Sequence, residues 1–134
     1  MPQLILEYTD NIKAEADIPA LLKKVNDTII GQPGGIFPPG GTRSRALELK
    51  DYRMADGAED YAFVHVTFKI GGGRTEAQKK RVCDELFEMM KTHFAPIFAT
   101  RYLALSMELY EFDERGTYKH NNVHARFKKS TIAP

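Results

Sequence analysis

The chain has 134 residues and 43% hydrophobic content, the size of one ordinary domain that can bury a core without disulfides. Nineteen Lys and Arg against eighteen Asp and Glu leave a net charge of +1 with the basic residues scattered, which argues against a nucleic-acid binder. No run of residues is long enough to span a membrane and the single Cys83 has no partner for an internal disulfide, so we expect a cytoplasmic protein.

The first half of the chain predicts a strand, a helix and a second strand. Residues 3–8 form an apolar, strand-like run that follows Pro2. Apolar residues recur at helical spacing between Asp17 and Ile30, with Asp17 as a candidate cap. The glycines and prolines from residue 31 to 41 predict a loop, and residues 45–52 alternate like a half-buried strand.

The second half repeats this order after about sixty residues. Residues 61–70 are rich in aromatic and β-branched side chains, and three glycines follow as a turn. Thr75 and Gln78 have the spacing of a capping box, and helical periodicity continues towards Pro96. Residues 102–112 predict the last strand.

Two successive β-α-β units predict an α/β (α+β) fold with a four-stranded mixed sheet and both helices on one face. We expect a single domain, 1–134, with pseudo-repeats at about 2–52 and 61–112 and a C-terminal tail over 113–134. The other face of such a sheet is uncovered and carries apolar residues. A closed ring of identical chains would bury that face, so we expect a homo-oligomer.

Pro2 has two interpretations. It is a tolerated residue at the start of a strand, or, once Met1 is removed, it is a secondary amine that can act as a base. If Met1 stays attached, the nitrogen of Pro2 is an amide nitrogen and has no basicity.

Several stretches of the sequence resemble the tautomerase superfamily and, more narrowly, its 5-carboxymethyl-2-hydroxymuconate isomerases. The resemblance covers nearly the whole chain. No single stretch is decisive, but all of them together, in this order, are specific to the family. They are Met1-Pro2, Asp10-Asn11-Ile12, Gly35-Ile36-Phe37-Pro38, Arg43-Ser44-Arg45, Met54-Ala55-Asp56-Gly57, Asp60-Tyr61-Ala62-Phe63-Val64-His65, Lys69-Ile70-Gly71, Gly73-Arg74, Lys91-Thr92-His93-Phe94 and Asn121-Asn122-Val123-His124-Ala125.

The resemblance implies a homotrimer, Pro2 as the catalytic base, and isomerisation without a cofactor or metal in homoprotocatechuate degradation. Because only the first unit begins with Pro, we expect one active site per chain. A promiscuous tautomerase of other 2-oxo acids and a non-catalytic oligomeric module that binds a small ligand remain as alternatives.

Arginines are the candidate ligands for a substrate with two or three carboxylates, because a guanidinium binds a carboxylate with two parallel hydrogen bonds. The resemblance ranks Arg43 and Arg74 first and Arg45 close behind, and we expect the first two to act on the substrate and not on the fold. Arg101 occupies the corresponding place in the second unit, as a structural or secondary candidate. Phe37 is either a wall of an apolar pocket or part of the loop packing, and the sequence does not separate these readings.

Other features have more ordinary explanations. The turn from Gly71 to Arg74 lacks a Walker pattern, so a plain turn is preferred to a phosphate site. His120 and His124 lie four residues apart, but the intervening residues form helices poorly and no other ligand completes a metal site. Cys83 has no evident His partner and is expected to be a packing residue.

Overall fold

A four-stranded sheet forms the centre of the computed structural model, which describes residues 1–127. The strands are β1 (Gln3–Thr9), β2 (Arg43–Leu49), β3 (Tyr61–Gly71) and β4 (Tyr102–Phe112), in the spatial order β2-β1-β3-β4. β1 and β2 are parallel, as are β3 and β4, whereas the central strands β1 and β3 are antiparallel. Two β-α-β units therefore meet side by side in one mixed sheet, which confirms the predicted fold class.

Within residues 1–112 four α-helices accompany the strands: α1 (Lys13–Ala16), α2 (Ile18–Ile30), α3 (Glu76–His93) and α4 (Ala95–Thr100). The predicted capping box opens α3. The Gln78 backbone N–H donates to Thr75 Oγ1 at 3.1 Å, and the Thr75 backbone N–H donates to Gln78 Oε1 at 2.9 Å. These two bonds satisfy N–H groups that the first turn of a helix leaves unpaired.

The predicted role of Asp17 as a helix cap needs correction. Asp17 stands directly before α2, but it has a left-handed backbone (φ 45°) and its side chain makes no capping hydrogen bond. It separates α2 from the short α1, which the apolar periodicity did not indicate. Asp is one of the few residues that tolerate this conformation, so it serves here as a break between two helices.

β2 begins two residues earlier and ends three residues earlier than the alternating pattern predicted. Its parallel register runs from Gln3 opposite Arg43 to Thr9 opposite Leu49, so β2 has no partner beyond the end of β1. Tyr52 instead leaves the sheet and donates a hydrogen bond from its hydroxyl to Asp10 Oδ1 at 3.0 Å.

The core lies between the sheet and the helices. The two long helices contribute Leu21, Val25 and Ile29 of α2 and Val82, Leu86 and Met90 of α3 to it. They pack with alternate residues of the central strands, which are Leu4, Leu6, Tyr8, Ala62, Val64, Val66, Phe68 and Ile70. In residues 1–127 no helix has the length and apolar content needed to cross a bilayer.

Within residues 1–127, no layer of helices covers the opposite face of the sheet. The register places residues 43, 45 and 47 of β2 on this face, together with the alternate residues 102–110 of β4. Among its large side chains, Leu47 is 49% exposed, Tyr102 is 63% exposed and Tyr110 is 47% exposed. A partly apolar sheet face of this kind suits contact with another protein surface.

Candidate active site

The parallel pairing of β1 and β2 places Arg43 beside the amino end of the chain. Gln3 and Arg43 are the first paired residues of the two strands. The Arg43 backbone N–H donates to the carbonyl oxygen of Pro2, the residue before Gln3, at 3.2 Å. Pro2 itself is buried at the start of β1. Met1 precedes it in the structure, so the only amine at this end is that of Met1.

A cavity of about 540 Å³ opens beside Met1. Three parts of the chain line it: the amino end, the loop before β2, and the C-terminal tail. The lining residues are Met1, Pro39, Gly40, Thr42, Arg43, Tyr118, Lys119, His120, Asn121, Asn122 and Val123. A cavity of this volume can hold a small organic acid.

Arg43 and Arg45 lie on the same face of β2 but have different surroundings. Arg43 lines the cavity, its Nη2 lies 3.6 Å from Met1 Sδ, and it has no ion pair with any residue from 1 to 127. Arg45 donates to Gln3 Oε1 at 3.1 Å on the uncovered sheet face and is not among the lining residues. The structure therefore brings only Arg43 of this pair to the cavity.

Arg74 is held by the loop that follows α2. Its guanidinium donates to the carbonyls of Gly71 at 3.0 Å and Ile36 at 2.7 Å, and its Cζ lies 4.3 Å from the centre of the Phe37 ring. Burial lowers the pKa of this guanidinium, against the opposing effect of Glu114 and Glu111. Arg74 thus supports the fold as well, so the expectation that it acts on the substrate alone is too simple.

Phe37 does not reach the cavity. Its side chain is 1% exposed, and its ring packs against Phe68 with 6.2 Å between the ring centres. The Phe37 ring also contacts the Arg74 guanidinium, and the two groups form a cation–π interaction. In the free chain, Phe37 therefore contributes to this region as the platform under Arg74.

Charged side chains surround the amino terminus. The pKa of the Met1 amine lies below its usual 8.0, chiefly because burial disfavours the charged form. The Glu114 carboxylate opposes this shift, whereas Lys119, Arg74 and Arg43 add to it in that order. An amine at this position is therefore more often neutral, and so available as a base, than an amine in water.

The sequence reasoning missed the tail residues at the site. Lys119 forms an ion pair with Glu114 at 2.8 Å, and the Asn121 side-chain amide donates to the Gly40 carbonyl at 3.0 Å. His124 packs so closely on Gly40 that a Cβ there would lie 2.8 Å from the Cα of His124. The one signal in the sequence was that the stretch from Asn121 to Ala125 carries part of the family resemblance.

In the second β-α-β unit a cavity of about 410 Å³ is lined by residues 98–102, but the arginine at this place is already paired with carboxylates. Arg101 precedes β4 as Arg43 begins β2, but its guanidinium is held by Glu15 at 2.6 Å, by Asp60 at 2.7 Å and by the Asn11 carbonyl at 2.7 Å. The nearby cavity of about 210 Å³ is lined partly by Glu59 and Asp60. Arg101 therefore has a structural role, because its ion pairs join it to Glu15 and Asp60. A structural role is one of the two expected for it.

The remaining candidates show ordinary packing. Burial raises the pKa of the Cys83 thiol, so this cysteine is a poor nucleophile at neutral pH. Across residues 1–127, no three His, Cys, Asp or Glu side chains lie close enough together to hold a metal ion.

Comparison with known proteins gives consistent matches over most of the chain. The family model for 5-carboxymethyl-2-hydroxymuconate isomerase matches residues 2–127. A 5-carboxymethyl-2-hydroxymuconate Delta-isomerase of Escherichia coli is 48% identical over 128 residues, which are 96% of this chain and 100% of that protein.

Solved structures extend the comparison. The crystal structure of a 5-carboxymethyl-2-hydroxymuconate isomerase from Deinococcus radiodurans R1 has a TM-score of 0.89 and 50% identity, covering 94% of this chain and 93% of that one. A fused 4-OT chain described as a symmetric trimer has a TM-score of 0.62 and 15% identity, covering 88% of this chain and 93% of that one, and it shares the fold alone.

Proposed function

The chain belongs to the 5-carboxymethyl-2-hydroxymuconate isomerase family, and from that premise we propose that it isomerises 5-carboxymethyl-2-hydroxymuconate to the conjugated 2-oxo-3-ene acid. One observation carries this proposal: both Arg43 and Lys119 line a cavity beside the amino end, and this cavity lies next to the buried Pro2. A cationic cavity suits a substrate with several carboxylates. The family resemblance further supports a role in the degradation of homoprotocatechuate in the cytoplasm.

Pro2 is the proposed base, after removal of Met1. Its amine nitrogen takes the proton from the 2-hydroxyl of the dienol, and the O–H electrons form the carbonyl at C2. The C2=C3 double bond moves to C3=C4, and the electrons of C4=C5 take a proton at C5 from the proline ammonium. One proton leaves oxygen and one joins carbon, so the amine is regenerated and no oxidant or reductant is needed.

The arginines are proposed to bind carboxylates and to stabilise negative charge on the 2-oxygen as the proton leaves. Arg43 is the best placed, because its guanidinium has no ion pair within residues 1–127 and it lines the cavity. Arg74 does not line the cavity, but it adds positive charge near it, since it lowers the pKa of the same Met1 amine. Arg45 is a weaker candidate in a single chain, because it faces the uncovered sheet surface.

A homotrimer is the proposed assembly. The exposed Leu47, Tyr102 and Tyr110 on the uncovered sheet face support it, because three such faces packed around a threefold axis would remove them from water. The fused 4-OT chain of the same fold is described as a symmetric trimer. In such an assembly Arg45 would face a neighbouring subunit.

The test is an ultraviolet assay of 5-carboxymethyl-2-hydroxymuconate with protein whose intact mass shows that Met1 is gone. We expect conversion by this form and almost none by protein that retains Met1. Pro2→Ala keeps a primary amine but changes its basicity and placement, so it should lower kcat more than it raises KM. Full activity of both Pro2→Ala and the Met1-retaining protein would refute the mechanism. A complete lack of conversion by Met1-free protein would refute the proposed substrate.

A further inference from the structure

Lys119 stands out as a fixed cation at the cavity that the sequence patterns did not indicate. It lines the cavity together with Met1 and Arg43. Of the three cations that lower the pKa of the Met1 amine, Lys119 has the largest effect, ahead of Arg74 and Arg43. Its ammonium is therefore near the place where the proposed reaction occurs.

The backbone around Lys119 is anchored on both sides. Upstream, the turn at Glu114–Gly116 is closed by the Asp113 side chain, which accepts from the Arg115 backbone N–H at 2.9 Å. Downstream, Asn121 binds the Gly40 carbonyl and His124 packs on Gly40. An exposed lysine on a free tail would lack these restraints, so this ammonium pays less conformational entropy to bind a ligand.

The Glu114 carboxylate forms an ion pair with the ammonium of Lys119. Its carboxylate accepts from Lys119 Nζ at 2.8 Å and lies against Gly71, where a Cβ would collide with Glu114 Oε1. Gly71 also supplies the carbonyl that binds Arg74, so Glu114 sits between two of the cations. With Arg43 added, three cations lie in this region against Glu114 and Glu111, of which Glu111 is already paired with Lys79, and the balance favours a further anionic ligand.

We infer that Lys119, positioned by Glu114, binds the carboxymethyl carboxylate of the substrate and makes the site prefer a tricarboxylate to a dicarboxylate. This inference rests on the proposed function for the identity of the substrate. The muconate skeleton supplies two carboxylates, for which the proposed partners are Arg43, which lines the cavity, and Arg74, which lies outside its lining. The third carboxylate needs a third cation, and Lys119 is the one that shares the cavity with Arg43.

A binding experiment tests the subsite without relying on turnover. Calorimetry compares two unreactive acids, pentane-1,2,5-tricarboxylate and adipate, which have the saturated skeletons of the substrate with and without the carboxymethyl group. We expect the unaltered chain to bind the tricarboxylate about tenfold or more tightly, the order of one charge-assisted hydrogen bond. Lys119→Gln should remove most of that preference and change adipate binding by less than about threefold.

Two further variants separate ligand binding from general stability. Lys80→Gln is the matched control, because Lys80 also forms a surface ion pair, with Asp84 at 2.6 Å, but lies on α3 outside the cavity lining. It should keep the full preference. Glu114→Gln removes the negative charge but keeps a side-chain oxygen that can accept the hydrogen bond from Lys119, so the cation stays in place and the preference for the tricarboxylate should be retained. A purely structural ion pair would be damaged equally by Glu114→Gln and Lys119→Gln.

The assay of the natural reaction completes the test. In Met1-free protein, Lys119→Gln should raise KM for 5-carboxymethyl-2-hydroxymuconate about tenfold with kcat within about threefold, and should spare 2-hydroxymuconate. An unchanged preference in Lys119→Gln, or an equal loss for both acids, overturns the inference. Failure of Met1-free protein without further substitutions to isomerise either substrate would refute the proposed function instead, and the calorimetric comparison would still decide the subsite.

Discussion

At the scale of single residues, the amino terminus shows how the surroundings set the strength of a base. Burial is the main reason that the pKa of the amine at this end is lowered; three cations lower it further, and one carboxylate, Glu114, raises it. Pro2 is buried next to the same groups, so the pKa of its amine should be lowered for the same reasons once Met1 is removed.

The pH dependence of the reaction should follow from this shift. The neutral amine is the active form, so kcat/KM should fall as pH drops through the pKa of the Pro2 amine. Arg43 lowers the pKa of the Met1 amine, and we expect the same effect on the Pro2 amine once Met1 is removed, so Arg43→Gln should move the acid limb of the profile to higher pH. Rates measured between pH 5 and 9 check this, with Lys80→Gln as the control that should leave the limb in place. A profile independent of pH across this range would argue against an amine base.

Arg43 and Arg74 should differ in what their replacement costs. Arg43 is exposed, so Arg43→Gln should leave Tm nearly unchanged and lower kcat/KM about tenfold to a hundredfold. Arg74→Gln loses two bonds to backbone carbonyls and the contact with Phe37, so it should cost about 1 to 3 kcal/mol of stability as well. Thermal unfolding alongside kinetics separates the two effects. A stable, fully active Arg43→Gln protein would assign this arginine to the surface or to a subunit interface.

At the scale of elements, the loop before β2 and the C-terminal tail form one unit with the amino end. Gly40 permits the contact, because a Cβ there would come within 2.9 Å of the His124 backbone nitrogen and 2.8 Å of its Cα. Backbone atoms at such distances must move apart, and the tail that carries Lys119 would move with them.

Gly40→Ala should therefore lower Tm and weaken the binding of pentane-1,2,5-tricarboxylate. The expected cost is about 1 to 3 kcal/mol, typical of overpacking at a close contact. Gly116→Ala is the control within the same tail, since a Cβ there has no neighbour within 4 Å. Differential scanning calorimetry and ligand titration measure both effects. Equal behaviour of the two variants would mean that the close packing of the tail on Gly40 does not matter for the site.

At the scale of the whole molecule, the sheet has one face packed by helices and one face open. The open face combines exposed Leu47, Tyr102 and Tyr110 with polar residues such as Arg45. An antiparallel centre allows a sheet to face water, but exposed side chains of this size favour association.

The chain should form a trimer in solution. Light scattering at micromolar concentration should give three times the chain mass of 15.2 kDa. Leu47→Glu places a charge on the open face without touching the core or the cavity, so it should dissociate the assembly, and Lys80→Gln should not. A stable monomer of the unaltered chain would remove this prediction, and with it the idea that Arg45 faces a neighbouring subunit.

The sequence by itself determined the order of the four strands and the two long helices, because the periodicity of apolar residues and the capping box of Thr75 and Gln78 are local signals. It also indicated Pro2, Arg43 and Arg74 as candidates, through the family resemblance. The end of β2 could not be predicted from its own alternation, because it depends on where β1 stops and leaves Leu49 as the last paired residue.

Only the tertiary structure decided which charged side chains are free to bind a substrate. Arg43 and Arg101 hold equivalent places in the two units, but contacts across the fold with Glu15 and Asp60 occupy Arg101 and leave Arg43 at the cavity. The tail meets the loop through Asn121 and Gly40, which are 81 residues apart. Contacts between residues so distant in sequence leave no periodic trace, because they depend on how whole elements pack.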